Sequence, residues 1–310
     1  MFEFIIKRIL WLFPVLFIIT LLTFTLTNLS AGEPAAIAVR QESGGKVTEE
    51  AVVAMRAKMG LDESLPRQYL RWINGVLRLD LGTSYKTKNP VIQEIASKFP
   101  ATMMLTFCSM FVMLSVSLVI GIASARYPNS LIDRFGKLLS FATVSVPPFL
   151  LGLGLLYFFG VYLKWIPIIG DGSSKYVWLP AITTGVSHCG AFIVLVRTNM
   201  TEVLGRGYMK AARARGLSEG TVMTRHALRN AILPVLTKSG VVFASMLGGS
   251  SIIEAIFSWP GIGQLALESI YNKDIPVLQG FMLMSATLII VINLIVDIAY
   301  KMIDRKIKIA

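Results

Sequence analysis

A chain of 310 residues that is 54% hydrophobic and 15% charged, with a mean hydropathy of +0.65, holds more apolar surface than one soluble core can bury, so lipid is its expected solvent. The formal net charge of +12 would suit nucleic acid in a soluble protein, but its basic clusters flank apolar runs, and no nucleic-acid partner is expected. The only two cysteines, Cys108 and Cys189, lie inside apolar runs, which excludes a disulfide framework and a CxxC metal site.

A membrane-spanning helix needs about 20 mostly apolar residues. Six segments qualify: residues 9–29, 103–125, 138–162, 178–196, 233–253 and 277–298. The first begins like a signal peptide but has the length of a span, and Ser30-Ala31-Gly32-Glu33 offers no cleavage site, so it reads as a retained helix. The chain then divides into an N-terminal transmembrane helix (1–30), an extracytoplasmic segment (31–102) and a transmembrane core (103–310). In the extracytoplasmic segment VTEEAVVAMRAKMG has helical spacing, and Tyr69, Trp72, Ile73 and Val76 recur at amphipathic intervals, predicting a small helical cap. The third span contains Pro147-Pro148 and should kink there. The fifth carries Gly240, Gly248 and Gly249 among serines, a small-residue surface suited to close helix packing.

Cytoplasmic flanks retain lysine and arginine. Lys7 and Arg8, then Arg126, Arg134 and Lys137, then the stretch from Arg197 to Arg229, then Lys301, Arg305, Lys306 and Lys308 fall on one side of a six-span arrangement. Both termini are therefore expected in the cytoplasm. The basic residues of 31–102 do not oppose this, since loops above roughly 60 residues translocate largely regardless of charge.

The loop between the fourth and fifth spans, residues 197–234, is too long and helix-prone for a connector. Met200 to Leu204 can extend the fourth helix, Gly205 and Gly207 permit a turn, Tyr208 to Ala214 can form a short helix, and Gly216 would end it. Ala211, Ala212 and Ala214 would allow close docking against another protein, with Tyr208, Met209 and Leu217 as apolar anchors. A basic loop lying on anionic membrane lipid is the competing reading for Arg206, Lys210, Arg213 and Arg215.

In this loop Lys210-Ala211-Ala212, then Gly216, then His226-Ala227-Leu228-Arg229 resembles the signature of ABC importer permeases, in which EAA, three residues, Gly, nine residues and I-x-L-P form the coupling helix. Lys210 replaces the acid, His226 the isoleucine and Arg229 the proline, a variant similar to the peptide and nickel permeases. Ordered blocks extend the resemblance along the chain: GEP, MGLDESLPRQYLRW, DLGTSY, ARARGLSEGTVMTRHALRNAILP and IIEAIFSWPGIGQLALESIYNKDIPVLQG. The resemblance implies an all-α permease of six helices in the inner membrane, with Tyr208, Lys210, Ala211, Ala212, Arg213, Gly216 and Leu217 meeting the ATPase. It also implies the partners: a second homologous permease, two ATPase subunits that bind the ATP, and an extracytoplasmic substrate-binding protein. Nickel, free or chelated, and short peptides are the substrates it brings, with FSWPGIG and DIPVLQGFMLM closer to the nickel branch.

Chemistry of the chain's own is not expected, since GxxxxGK[ST] and HExxH are missing, no serine–histidine pair is expected to face one cavity, and no cofactor is implied. Of the two histidines, His188 stands beside Cys189 in the fourth span, either as passing metal ligands or as core residues. Methionines such as Met110, Met113 and Met284 fit a passage or core filling. Trp259-Pro260-Gly261 precedes the sixth span and reads as part of an outer gate or as a turn with an interfacial tryptophan. Lys238 and Asp297 are the charges inside spans; they should pair near the inner ends of the fifth and sixth helices unless Lys238 snorkels to the surface. An ion-coupled secondary transporter, the alternative class, would want ionisable residues nearer the midplane.

Overall fold

The computed structural model describes residues 2–29, 33–42, 47–166 and 174–303. Ser30 to Gly32 and the basic Arg305, Lys306 and Lys308 fall outside them. Among the described residues the fold is helical throughout, with one isolated bridge between Thr83 and Pro90.

Helix α1 (Phe2–Leu29) is followed by three short helices, α2 (Pro34–Glu42), α3 (Glu49–Met59) and α4 (Leu65–Leu77). The expected cap is therefore helical. Thr48 caps α3 by accepting from the Ala51 N–H, and Gly60 ends it at φ 67°, the left-handed conformation that favours glycine. Helix α5 (Val91–Arg126) runs through 36 residues, roughly 54 Å at 1.5 Å each, well beyond a hydrocarbon core of ~30 Å. It begins twelve residues ahead of the second predicted span, because the Val91–Phe99 stretch is itself helix-compatible.

Helices α6 (Leu131–Ser145) and α7 (Pro148–Leu156), the latter continued by a π-helical turn (Tyr157–Tyr162), meet at a bend of 100°. The break falls at Val146-Pro147, where proline bars the preceding residue from helical geometry, so the expected kink is a sharp corner. Next come α8 (Trp178–Gly205), α9 (Gly207–Ala214), α10 (Glu219–Thr221), a π-helical segment (Val222–Leu228) and α11 (Arg229–Gly249). The fifth predicted span does not run unbroken to residue 253. Its Gly-Gly-Ser-Ser run interrupts it at Ser250, and α12 (Ser251–Ile256) follows. Helices α13 (Ile262–Asn272) and α14 (Ile275–Ile303) complete the chain. Five described helices are long and apolar enough to cross a membrane, six if the bent α6–α7 pair counts as one.

The chain forms two compact units, Met1–Thr102 with Pro260–Val291, and Met103–Trp259 with Ile292–Ala310. In the first, Val91, Ile95, Ile262 and Val277 make a buried core. Polar bonds join its distant segments: Asp274 accepts from the Ser84 hydroxyl (2.5 Å) and the Tyr85 N–H (3.1 Å), Ile262 N–H donates to the Thr102 hydroxyl (2.9 Å), and the Gln279 amide donates to Thr27 (2.8 Å).

In the second unit, α8 is the central element. A Cβ added at its Gly185 would lie 2.7 Å from the Ser109 carbonyl of α5, and one at Gly190 would lie 2.7 Å from the Ser140 carbonyl of α6. Helix backbones come this close in lipid only over small residues. Phe192, Ile193, Val196 and Met200 of α8 are buried, while Phe111, Leu131, Phe141 and Val144 on its neighbours stay exposed, as lipid-facing side chains do.

Gly190→Ala should lower the thermal midpoint of the purified protein, because overpacking against backbone costs typically about 1–3 kcal/mol, more than the about 0.5–1 kcal/mol alanine adds to a helix. Gly154→Ala, with open space around the new carbon, should leave the midpoint unchanged or raise it slightly.

Candidate functional site

Residues 197–234 fold into the helix, turn and helix their sequence implies. Helix α8 continues to Gly205, Arg206 turns the chain in extended conformation, and α9 begins at Gly207. Gly216 follows α9 at φ 79°, its N–H donating to the Arg213 carbonyl at 2.9 Å. Nothing lies within 4 Å of where its side chain would be, so the glycine is required by conformation and not by crowding. Ser218 then caps the next helix by accepting from the Thr221 N–H.

Helix α9 has two distinct sides. Met209 is fully buried and Ala212 is 9% exposed, and both belong to the apolar cluster that contains Phe192, Val196 and Met200 of α8 and Val222, Met223 and Ala227 of the π-helical segment. Burying a methionine side chain contributes about 1.5–3 kcal/mol, so this contact fixes α9 on α8. The other side carries Tyr208, Lys210, Ala211 and Arg213, all exposed, and Leu217 just beyond is 39% exposed. The sequence groups Ala212 with the docking residues; the structure turns it into the chain's own core, because residues 209 and 212 are one turn apart on the same side. Arg206 pairs with Glu202 at 2.8 Å and Arg213 with Glu219 at 2.7 Å. The Asn230 amide donates to the Tyr208 hydroxyl at 3.3 Å, tying α9 to the first turn of α11.

The root of this loop is held by a buried ion pair. Asp133, completely buried at the start of α6, accepts from Arg197 Nε (2.6 Å) and Nη2 (3.2 Å), from Lys137 Nζ (3.0 Å) and from the Asn129 N–H (2.9 Å). Its own N–H is received by the Ser130 hydroxyl. The sequence reading passed over Asp133, although Ser130-Leu131-Ile132-Asp133 ahead of an apolar run is a capping signature.

The remaining expected residues are dispersed. Cys189 is fully buried, its thiol directed at the carbonyls of Gly185 (3.2 Å) and Met113 (3.8 Å), so it packs between α8 and α5 and is not presented with His188 as a ligand pair. Met113 is also fully buried, and Met110 packs against the same cluster. Trp259 is 2% exposed, its N–H donating to the Glu254 carbonyl at 2.7 Å, so it is an interior residue and not an interfacial one. Pro260 is half-buried, and Gly261 is the extended residue that starts α13. Glu254, one residue beyond the fifth predicted span, is completely buried with the Ser250 hydroxyl on its carboxylate at 3.0 Å, a charge the sequence reading did not single out.

An ion pair between Lys238 and Asp297 is not among those found for the described residues. Lys238 Nζ lies 5.9 Å from the centre of the Phe192 ring, within cation–π range. The ring face of Phe192 competes for the ammonium at no cost in buried charge.

Residues 117–309 match the model of the binding-protein-dependent transport system inner membrane component, and residues 1–106 match the N-terminal model of the same membrane components. The chain belongs to this family. The glutathione transport system permease protein GsiC of Pectobacterium atrosepticum is 39% identical over 308 residues, 99% of each chain, and that of Salmonella paratyphi A is 38% identical over the same span. A methionine ABC transporter in inward-facing form shares the fold at a TM-score of 0.57 and 18% identity, covering 69% of this chain and 98% of its own. The chain is thus a multi-pass permease component of an ABC importer in the inner membrane, and not an enzyme.

Arg197→Ala should lower the thermal midpoint of the purified protein by leaving Asp133 without its guanidinium and with Lys137 as its remaining cation, and Arg197→Met combined with Asp133→Leu should recover much of that loss. Gly216→Val forces a branched side chain into left-handed geometry at a cost of about 1–2 kcal/mol, so transport should fall while membrane abundance stays unchanged. Transport at the original rate by an equally abundant variant would remove Gly216 from coupling.

Proposed function

We propose that this chain is one of two homologous permease subunits of an importer for short peptides of the glutathione type, coupled through α9 to an ATPase that binds and hydrolyses the ATP. The observation that carries the coupling role is the two-sidedness of α9: Met209 and Ala212 fix it to the transmembrane core, while Tyr208, Ala211 and Leu217 stay exposed for a partner. Lys210 and Arg215 add positive charge to that exposed surface. Both termini and residues 197–234 face the cytoplasm in this reading, in keeping with the basic residues of that side. A binding protein delivers substrate from the other side.

The mechanism is alternating access. Closure of the two ATPases displaces α9 as a rigid body, and because α9 shares one apolar core with α8, the displacement passes to α8 and, through the Asp133–Arg197 contact, to α6. A loop loosely attached at its root would dissipate that motion.

The glutathione transport named for the relatives supports a small peptide as substrate. The preference for nickel drawn from the two sequence blocks finds no support here: Cys189 is turned into helix packing, and no group of three or more His, Cys, Asp or Glu among the described residues is arranged for a metal.

Two measurements test this reading. Single cysteines at Tyr208, Ala211 and Leu217 should cross-link to the ATPase in membranes, and one at Ala212 should not. Deleting the gene should abolish uptake of labelled glutathione or dipeptide and leave nickel accumulation unchanged, whereas loss of nickel uptake alone would replace the peptide assignment.

A further inference from the structure

Helix α4 has apolar surface that its protein contacts do not use. Tyr69 meets Phe24 edge-on at 5.5 Å and Phe17 at 6.5 Å, shares a hydrogen bond with Thr20 (2.9 Å), and has Trp72 beside it against Phe24. Helical periodicity puts Arg67 and Arg71 on the opposite side of α4, and Arg78 follows its last residue. Leu65 on the Tyr69 side and Leu70 and Leu77 on the flank are exposed, Leu77 by 79%. Arginine on one side with tyrosine, tryptophan and leucine on the other marks a helix that lies in the plane of a membrane interface.

Helix α1, against which α4 packs, is itself a span long and apolar enough to cross a bilayer, with Trp11, Phe13, Phe17 and Leu22 exposed. Between the two helices opens a cavity of about 550 Å³, walled by Phe17, Leu21 and Phe24 of α1 and by Leu65, Tyr69 and Leu70 of α4. Its lining on α1 runs from Phe17 to Asn28, about 16 Å at 1.5 Å per residue, which is half of a ~30 Å hydrocarbon core. The cavity is therefore one leaflet deep. At its Asn28 end begins a smaller cavity of about 130 Å³ that shares Phe24 and Asn28 and is lined by Gln68 and by Arg71, which pairs with Glu63.

We infer that the cleft between α1 and α4 is a phospholipid site. One acyl chain lies along Phe17, Leu21 and Phe24 under Leu65 and Leu70, and the phosphate sits at the Asn28 end, where the Arg71 guanidinium, shared with Glu63, is the cationic donor. Three features select a lipid over a protein segment: the wall is continuous with the lipid-facing surface of α1, its depth matches one acyl chain, and arginine stands where a phosphate would lie. The lipid would hold α4 to the membrane surface on the side of the bilayer that carries α2 to α4. The inference rests on α1 spanning the membrane and is independent of the substrate.

The test uses the assembled transporter, with its partner subunits, in nanodiscs of phosphatidylethanolamine carrying a photoactivatable diazirine within one acyl chain. Irradiation should label residues 17–24 and 65–70 together, and Leu21→Trp, which fills the cleft, should reduce labelling of 65–70 several-fold while that of Phe13 stays unchanged. Because Leu21→Trp could disturb packing, a spin label on a single cysteine at Leu70 gives an independent reading: it should be relaxed more by dissolved oxygen than by a water-soluble chromium complex. Labelling confined to α1, or a spin label at residue 70 that is water-accessible, overturns the site. Protection of that residue by added binding protein would identify a protein occupant and overturn it equally.

Discussion

A carboxylate removed from water costs several kcal/mol unless charge and hydrogen bonds replace its hydration, and Asp133 is completely buried. Arg197, Lys137 and the Asn129 N–H supply that replacement, and they come from three places: α8, α6 and the turn before α6. The start of α6 and the C-terminal part of α8 are thereby held at one spacing. Gly190, seven residues before Arg197 on α8, lets the α6 backbone approach at that same spacing. Each contact would strain the other if the helices moved apart, so the helix pair behaves as one body.

From that body the loop of residues 197–234 extends, and its stiffness follows from the core. Apolar burial is continuous from Phe192 through Met200 to Met209, Ala212 and Val222, so α9 is a surface feature of the transmembrane packing and not a flexible appendage. The exposed side of α9 is what remains when the buried side is satisfied. Its π-helical neighbour, Val222–Leu228, keeps Val222, Met223 and Ala227 directed inward through the stretch that resembles the permease signature.

The unit formed by residues 1–102 and 260–291 is organised differently, by single polar bonds at long sequence separation. Asp274 gathers the turn at Ser84 and Tyr85, and Thr102 receives the first N–H of α13. Neither could be found from local pattern, because each pairs residues more than 150 positions apart that carry no periodic signal. Ser84 and Asp274 look, in sequence, like ordinary turn residues.

What the sequence determined by itself was whatever depends on local chemistry and on solvent. Long apolar runs demanded lipid, proline marked the corner between α6 and α7, glycine ended α9, and the order of Ala211, Gly216 and the following residues carried the family resemblance. Tertiary structure alone decided which side of each helix is used. Ala211 and Ala212 are chemically identical neighbours, yet a rotation of about 100° per residue sends one outward and the other into the core. Lys238 met the ring of Phe192, because pairing across helices depends on a few ångströms of spacing that no single segment encodes. Asp133, Glu254 and Asp274 became buried for the same reason: burial of a charge is a property of its neighbours, and those neighbours are brought by packing.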